Sequence, residues 1–303
     1  MTTLPQQSNL PSTTVSLTEG ERKYAGFWTA AWRRFRRNKL AIFGIVYVTL
    51  IILVAVFAPY ITHYTIDEIN PQEALLGPSL KYYFGTDYLG RDIYTRMIFG
   101  ARPMLIVGIF TQVIALIIGT TLGLLAGYLG GVVDWIITRL IDLFSALPWY
   151  LIVLYLVMIL SPSVRNLIIA LSITSWVASC RIVRGLTLSI REQDYIEAAH
   201  ALGIQNWRIV GYHVLPQAAP LLIWAFAAGI PAAVFAEASM SFLGMGIRPP
   251  DPSWGQMLAE SGQYFAYWPH MLFFPAIFII LSVLAFQGLA DGLRQAVAVN
   301  VNV

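Results

Sequence analysis

The chain alternates between long apolar runs and shorter polar segments, and the runs are uniformly apolar rather than periodic. Residues 40–60 carry no charge. As a helix such a run crosses a hydrocarbon core of about 30 Å. Comparable runs follow at 103–129, 132–160, 166–180, 217–243 and 271–290. The pattern predicts an all-α, polytopic membrane protein with six transmembrane helices. The third run opens on a foot, 132–143, that holds Asp134, Arg139 and Asp142. Arg139 and Asp142 are spaced three apart and can pair on one helix face. Pro148 predicts a kink within that span, and Pro231 one in the fifth. The fourth run is short, near the lower limit for a crossing unless Arg181 snorkels to the interface.

The polar intervals divide the chain. Residues 1–26 are rich in Thr, Ser, Pro and Gln and are expected to be a disordered cytoplasmic tail. Residues 27–39, FWTAAWRRFRRNK, suggest through Trp28, Trp32 and Phe35 an amphipathic helix at the headgroups, while positive-inside topology alone suffices to account for the basic residues. The first unit, 27–100, then joins this helix, the first span and a long extracytoplasmic loop. The second, 101–292, is the core with five spans. Gly119, Gly123 and Gly127 stand four apart, a spacing that lets helices approach closely in lipid. Gly130 and Gly131 turn the chain between the second and third spans.

Composition agrees with the pattern. The 303 residues are 57% hydrophobic and 12% charged, about half the charge of a soluble domain. Cys180 is the one cysteine, which leaves no internal disulfide and no cysteine metal site. The net charge of +3 does not indicate nucleic acid, because the basic residues gather beside the first span rather than in a stripe. With six spans and both termini in the cytoplasm, twelve Lys and Arg fall inside and six outside, with Arg139 in the foot of the third span. That bias follows the positive-inside rule.

Three motifs lie in the polar intervals. Residues 197–216 read EAAHALGIQNWRIVGYHVLP. A short helix over 195–202, ended by Gly203 in a left-handed conformation, is followed by Asn206 as an N-cap for a helix from Trp207. Pro216 would then open the next long helix. Two short helices held between spans make a knob, where a small Ala-rich face admits a partner and Glu197 offers it a charge. Residues 84–92 read FGTDYLGRD, and 243–258 read LGMGIRPPDPSWGQML. The proline run cannot lie inside a helix. Asp87 and Asp92 have no histidine or nucleophile nearby in sequence, which favours a structural role over acid and base chemistry.

The first motif resembles the EAA loop of bacterial ABC importer permeases: EAA, three residues, Gly, then nine to eleven residues to Leu-Pro. His213 departs from the aliphatic residue usual two before the Leu. The other two resemble signatures of the dipeptide, oligopeptide and nickel permeases, in particular the subunit called the C-type partner. After DGLR the chain departs again, reading QAVAVN where an Asp-Pro pair often follows. The resemblance covers residues 32–294 in the expected order. It implies the type I ABC importer transmembrane fold and alternating access driven by ATP. The implied partners are a second permease subunit, cytoplasmic ATP-binding subunits, an extracytoplasmic solute-binding protein and the bilayer of the inner membrane. It assigns the ATPase-coupling role to Glu197, Ala198, Ala199, Gly203, Leu215 and Pro216. The cargo class is di- or oligopeptides, with glutathione or nickel complexes as the alternative.

The residues themselves add limits. No GxxxxGK[ST] phosphate loop and no HExxH motif occurs, so no cofactor is expected on this chain and ATP would bind elsewhere. No catalytic set and no metal cluster is expected. Glu237, an acid in an apolar run, is either a path-lining group that meets a cationic peptide amine or a hydrogen-bonded packing carboxyl. A secondary transporter or channel would show broken helices or inverted repeats. An intramembrane enzyme would need paired acids or a Ser–His pair, whereas His63, His200, His213 and His270 are scattered.

Overall fold

The structure is a computed structural model that describes residues 27–297; the tail expected over 1–26 lies outside them. Its elements are α1 (Phe27–Phe35), α2 (Lys39–Ile61), α3 (Ile93–Leu129), α4 (Gly131–Ala146), α5 (Trp149–Leu160), α6 (Val164–Arg191), α7 (Asp194–Ala201), α8 (Asn206–Ile209), a π-helical turn (Val210–Val214), α9 (Leu215–Phe242), α10 (Trp254–Ser261) and α11 (His270–Val297). Among the described residues there is no strand, and a single bridge joins Thr86 to Asp92. Five helices are long and apolar enough to cross a membrane: α2, α3, α6, the continuous α8–α9 unit and α11.

Glycine sets how these helices meet. A Cβ at Gly119, Gly123 or Gly127 of α3 would stand 2.6–2.7 Å from Ser179, Val183 or Thr187 of α6. The partners climb in step, so α3 and α6 run parallel. On the other side of the bundle, Gly44 of α2 faces Ala285 and Gly288 of α11 faces Leu40, so those helices run antiparallel. Lipid tails are as apolar as leucine, so such close backbone approach, rather than removal from water, supplies the attraction. The main core gathers Ile51, Met97, Met104, Val234, Trp254 and Phe286 from α2, α3, α9, α10 and α11.

Several expectations need correction. The second span begins at Ile93, ten residues before the expected start, because Asp92 caps α3 by accepting from Thr95 N at 2.8 Å and Thr95 Oγ1 at 2.6 Å. The boundary expected at residue 100 therefore falls within α3. The kink expected at Pro148 is a bend of 87° between α4 and α5. Leu147 is extended there, at φ −92° and ψ 140°, as a residue before proline prefers. The short fourth span is 28 residues long and runs on to Arg191. Arg184 lies within it, its charge met by Asp134 of α4 in a two-pronged pair whose longer contact is 2.7 Å. Arg139 and Asp142 do pair, at 3.2 Å, and both are exposed.

Because α3 and α6 are parallel, the chain between them must return from one end of the bundle to the other. Bent α4–α5 makes that return. One end of the bundle therefore holds the loop 62–92, α10 and the segment 243–269. The other holds α1, the Gly130–Gly131 turn, α7 and α8.

Candidate functional site

The candidate coupling residues cluster at the second of these ends. Helix α7 ends in a Schellman motif, with Gly203 N donating to His200 O at 2.9 Å and Ile204 N to Ala199 O at 3.1 Å. Gly203 sits at φ +72°, where any side chain would be strained. Asn206 is not an N-cap. Gln205 occupies that place without a side-chain bond, and the Asn206 amide oxygen accepts from Tyr128 instead. The two short helices expected are also one short helix and the start of a long one. From Asn206 the chain stays helical to Phe242, widened to a π turn at Val210–Val214. Pro216 explains the widening, since a proline ring crowds the carbonyl four residues back. Leu215 N accordingly reaches Val210 O.

The knob has an inner and an outer face. Ile196, Ala199, Ile209 and Val214 are buried against Tyr128 of α3 and Ile190 of α6. Ala199 therefore belongs to the support and not to the small exposed face expected of it. Glu197, Ala198, Gly203, Leu215 and Pro216 are exposed. Around them stand Leu202 (80% exposed), Tyr212 (75%) and Trp207 (64%). So many large apolar side chains bared at one polar end form a patch of the kind that meets another protein.

Tyr128 ties this knob to α3. Its hydroxyl lies 3.1 Å from His200 Nε2 and 3.3 Å from Asn206 Oδ1. The hydroxyl has one proton. With Asn206 accepting it, His200 donates through Nε2–H. Nothing in the sequence pairs Tyr128 with residues so far along the chain, and sequence reasoning missed it.

At the opposite end the two remaining motifs lock together. Asp87 Oδ2 accepts from Arg91 Nε at 2.7 Å and Arg96 Nη1 at 2.6 Å. Glu260 of α10 takes the same two arginines at 3.1 and 2.8 Å. Asp87, Arg91 and Arg96 are buried, and the two charges of each sign cancel, which is what makes burial tolerable. Asp87 and Glu260 hold the Arg91 guanidinium above its usual range even though burial opposes this. Trp254 Nε1 donates to Met97 O at 2.8 Å, and Gly100 leaves room for the indole. Gly90, at φ +79°, has no space for a Cβ against Asn70 O. The role of 84–92 is thus to clamp the start of α3 to α10. In the loop before it, Glu73 binds Lys81, Tyr82 and Asn70. The Lys81 and Tyr82 bonds hold its carboxyl below the ordinary range.

Glu237 lies at the same end, enclosed by its own chain at 2% exposure. Its Oε1 accepts from Ser253 Oγ at 2.7 Å and Ser241 Oγ at 2.8 Å. Ser253 is itself the N-cap of α10. This geometry is that of a packing carboxyl rather than of a group lining a path. Cys180 is buried between α3, α4 and α6. Among the described residues no group of three or more His, Cys, Asp or Glu is placed to hold a metal ion.

Residues 119–299 match the family model described as binding-protein-dependent transport system inner membrane component. Residues 26–78 match that of the N-terminal TM domain of oligopeptide transport permease C. The chain is 43% identical over 270 residues to a dipeptide transport system permease protein of Alkalihalophilus pseudofirmus, covering 89% of this chain and 88% of that one. It is 38% identical over 275 residues to an oligopeptide transport system permease protein of Bacillus subtilis, covering 91% and 90%. It is 40% identical over 270 residues to a glutathione transport system permease protein of Pectobacterium atrosepticum, covering 89% and 90%. In fold it is similar to a chain of the MetNI methionine ABC transporter in inward-facing conformations, with a TM-score of 0.57 at 19% identity over 68% of this chain and 97% of that one.

Proposed function

The chain belongs to the binding-protein-dependent transport system inner membrane component family, and on that premise we propose that it forms half of the translocation path of an ATP-driven importer of di- or oligopeptides. The observation that carries the coupling role is the knob: a rigid α7 with a buried inner face, and an outer face of Glu197, Ala198, Leu202, Trp207 and Tyr212 that no part of the described chain covers. Its partner would be a cytoplasmic ATP-binding subunit. The remaining partners are a second permease subunit and an extracytoplasmic binding protein.

The topology we infer has six crossings. Five are continuous helices, and the sixth would be the bent α4–α5 unit, a reading that the parallel run of α3 and α6 supports. Both termini and the knob then lie in the cytoplasm, in accord with the basic residues of α1 and the positive-inside rule. The Asp87–Glu260 clamp faces outward.

In mechanism, ATP-driven closure of the partner subunits moves α7. The Schellman end and the Tyr128 bonds transmit that motion to α3 instead of letting α7 flex. Parallel α3 and α6, packed along Gly119, Gly123 and Gly127, move as one body. This chain performs no bond chemistry in the cycle and is not itself an enzyme. Glutathione is the second cargo reading, favoured by the relative from Pectobacterium atrosepticum, and nickel complexes are a third.

The test is purification of the tagged chain from its own membrane in mild detergent, with co-purifying chains identified by mass. Recovery of a second permease and ATP-binding subunits is the expected result. Recovery of this chain alone, transporting without ATP, would make it a secondary carrier.

A further inference from the structure

The coupling role leaves one strongly charged feature unused. Helix α1 ends in a tightened turn, with Arg36 N bonded to Trp32 O, Arg37 N to Arg34 O and Asn38 N to Phe35 O, all at 3.0–3.1 Å. The turn gathers Arg33, Arg36 and Arg37 around a cleft of about 330 Å³ that, among the described residues, Trp32 also lines. Arg33, Arg36, Arg37 and Lys39 are exposed. Among the described residues none of them forms an ion pair. The cluster is held in place from below. Phe35 is buried, stacks on Trp32 and packs over Gly292 of α11.

The position of the cleft selects its ligand. Asn38 caps α2, accepting from Leu40 N at 3.0 Å and Ala41 N at 3.2 Å, so the cleft lies one turn from the start of a membrane-spanning helix. Leu40, Phe43 and Val46 of α2 are exposed apolar side chains on the next turns, the surface that acyl chains cover. Three guanidiniums beside an indole, at headgroup depth, match an acidic phosphate. The indole suits the interface itself.

We propose that the α1–α2 junction is a binding site for the headgroup phosphate of an acidic phospholipid, with the acyl chains lying along α2. Such a lipid would brace α1 against α11.

The experiment is native mass spectrometry of the purified complex with phosphatidylglycerol or phosphatidylcholine added, for the wild type and the Arg33→Gln/Arg36→Gln/Arg37→Gln variant. Each arginine at an anionic surface contributes about fivefold in affinity, so the triple variant is expected to bind phosphatidylglycerol about 100-fold more weakly. Phosphatidylcholine binding should not change. Equal phosphatidylglycerol binding by wild type and variant overturns the proposal. So does equal retention of the two lipids by the wild type, or displacement of phosphatidylglycerol by millimolar inorganic phosphate. A variant with Lys at the three positions controls for folding, and it is expected to keep most of the preference. These readouts do not depend on what the transporter carries.

Discussion

The Tyr128 hydroxyl, at the end of α3, lies 3.1 Å from His200 Nε2 on α7. It is also 3.3 Å from Asn206 Oδ1, so one phenol joins both sides of the Gly203 turn to the helix that packs on α6. A bond of this kind contributes about 1 kcal/mol. Tyr128→Phe keeps the ring, which stacks on His200, and loses both bonds. The expected outcome in proteoliposomes is normal assembly with transport per ATP reduced severalfold. Unchanged coupling would show that α7 is positioned by its apolar contacts alone.

Arg96 stands between Asp87 and Glu260. Arg96→Met would leave two carboxylates facing one guanidinium in a buried site, which costs about 3–5 kcal/mol. Thermal unfolding in detergent should show the loss. Arg96→Lys should restore little, because one ammonium cannot match the forked contacts to both acids.

Glu237 accepts both serine bonds on the same oxygen. Glu237→Gln keeps an oxygen there and is expected to preserve stability and cargo preference. Glu237→Leu strands two hydroxyls and should destabilise by about 1–3 kcal/mol. A change of cargo preference in the Gln variant, measured by competition between cationic and neutral peptides, would restore the path reading.

A Cβ at Gly123 would lie 2.7 Å from Val183 Cβ and 2.8 Å from Cys180 O. Gly123→Leu is expected to force α3 from α6 at a cost of about 1–3 kcal/mol, lowering both thermal stability and yield. Gly185 has open space around it, and Gly185→Ala should be neutral in the same assay.

The Glu73 carboxyl titrates below its ordinary value, through its bonds to Lys81 and Tyr82. A lowered acid pKa gives stability that is full above the unfolded value of 4.5 and is lost as pH falls through the folded value. Hydrogen-exchange protection over residues 71–86, with the pH dependence of intrinsic amide exchange divided out, should therefore fall below about pH 4.5 and stay level above it. Glu73→Gln should remove that dependence.

What could be read from the chain depended on the range of the interaction. The first span, expected at 40–60, is Lys39–Ile61, because an uncharged run of that length has one solution in lipid. The glycine ladder of α3 and the left-handed Gly203 were legible for similar reasons, each being a local pattern with one physical purpose. The early start of α3 was less visible, since it rests on Asp92 capping a turn that reads as loop. The Asp134–Arg184 pair, the Glu260 clamp and the Tyr128 bonds were out of reach, because their partners stand 50 or more residues apart. Ala199 was misplaced for another reason. Helical phase over eight residues cannot say which alanine turns inward until Ile196 and Ile209 have chosen the buried side.

The most direct test of the account is transport-coupled ATP hydrolysis by the reconstituted transporter carrying Glu197→Lys. Glu197 is exposed on the outer face of α7, so the change should leave folding and membrane insertion intact. The account predicts weakened retention of the ATP-binding subunits and loss of cargo-stimulated hydrolysis. Wild-type retention with wild-type stimulation would contradict it, and the knob would then be a turn between spans with no part in coupling.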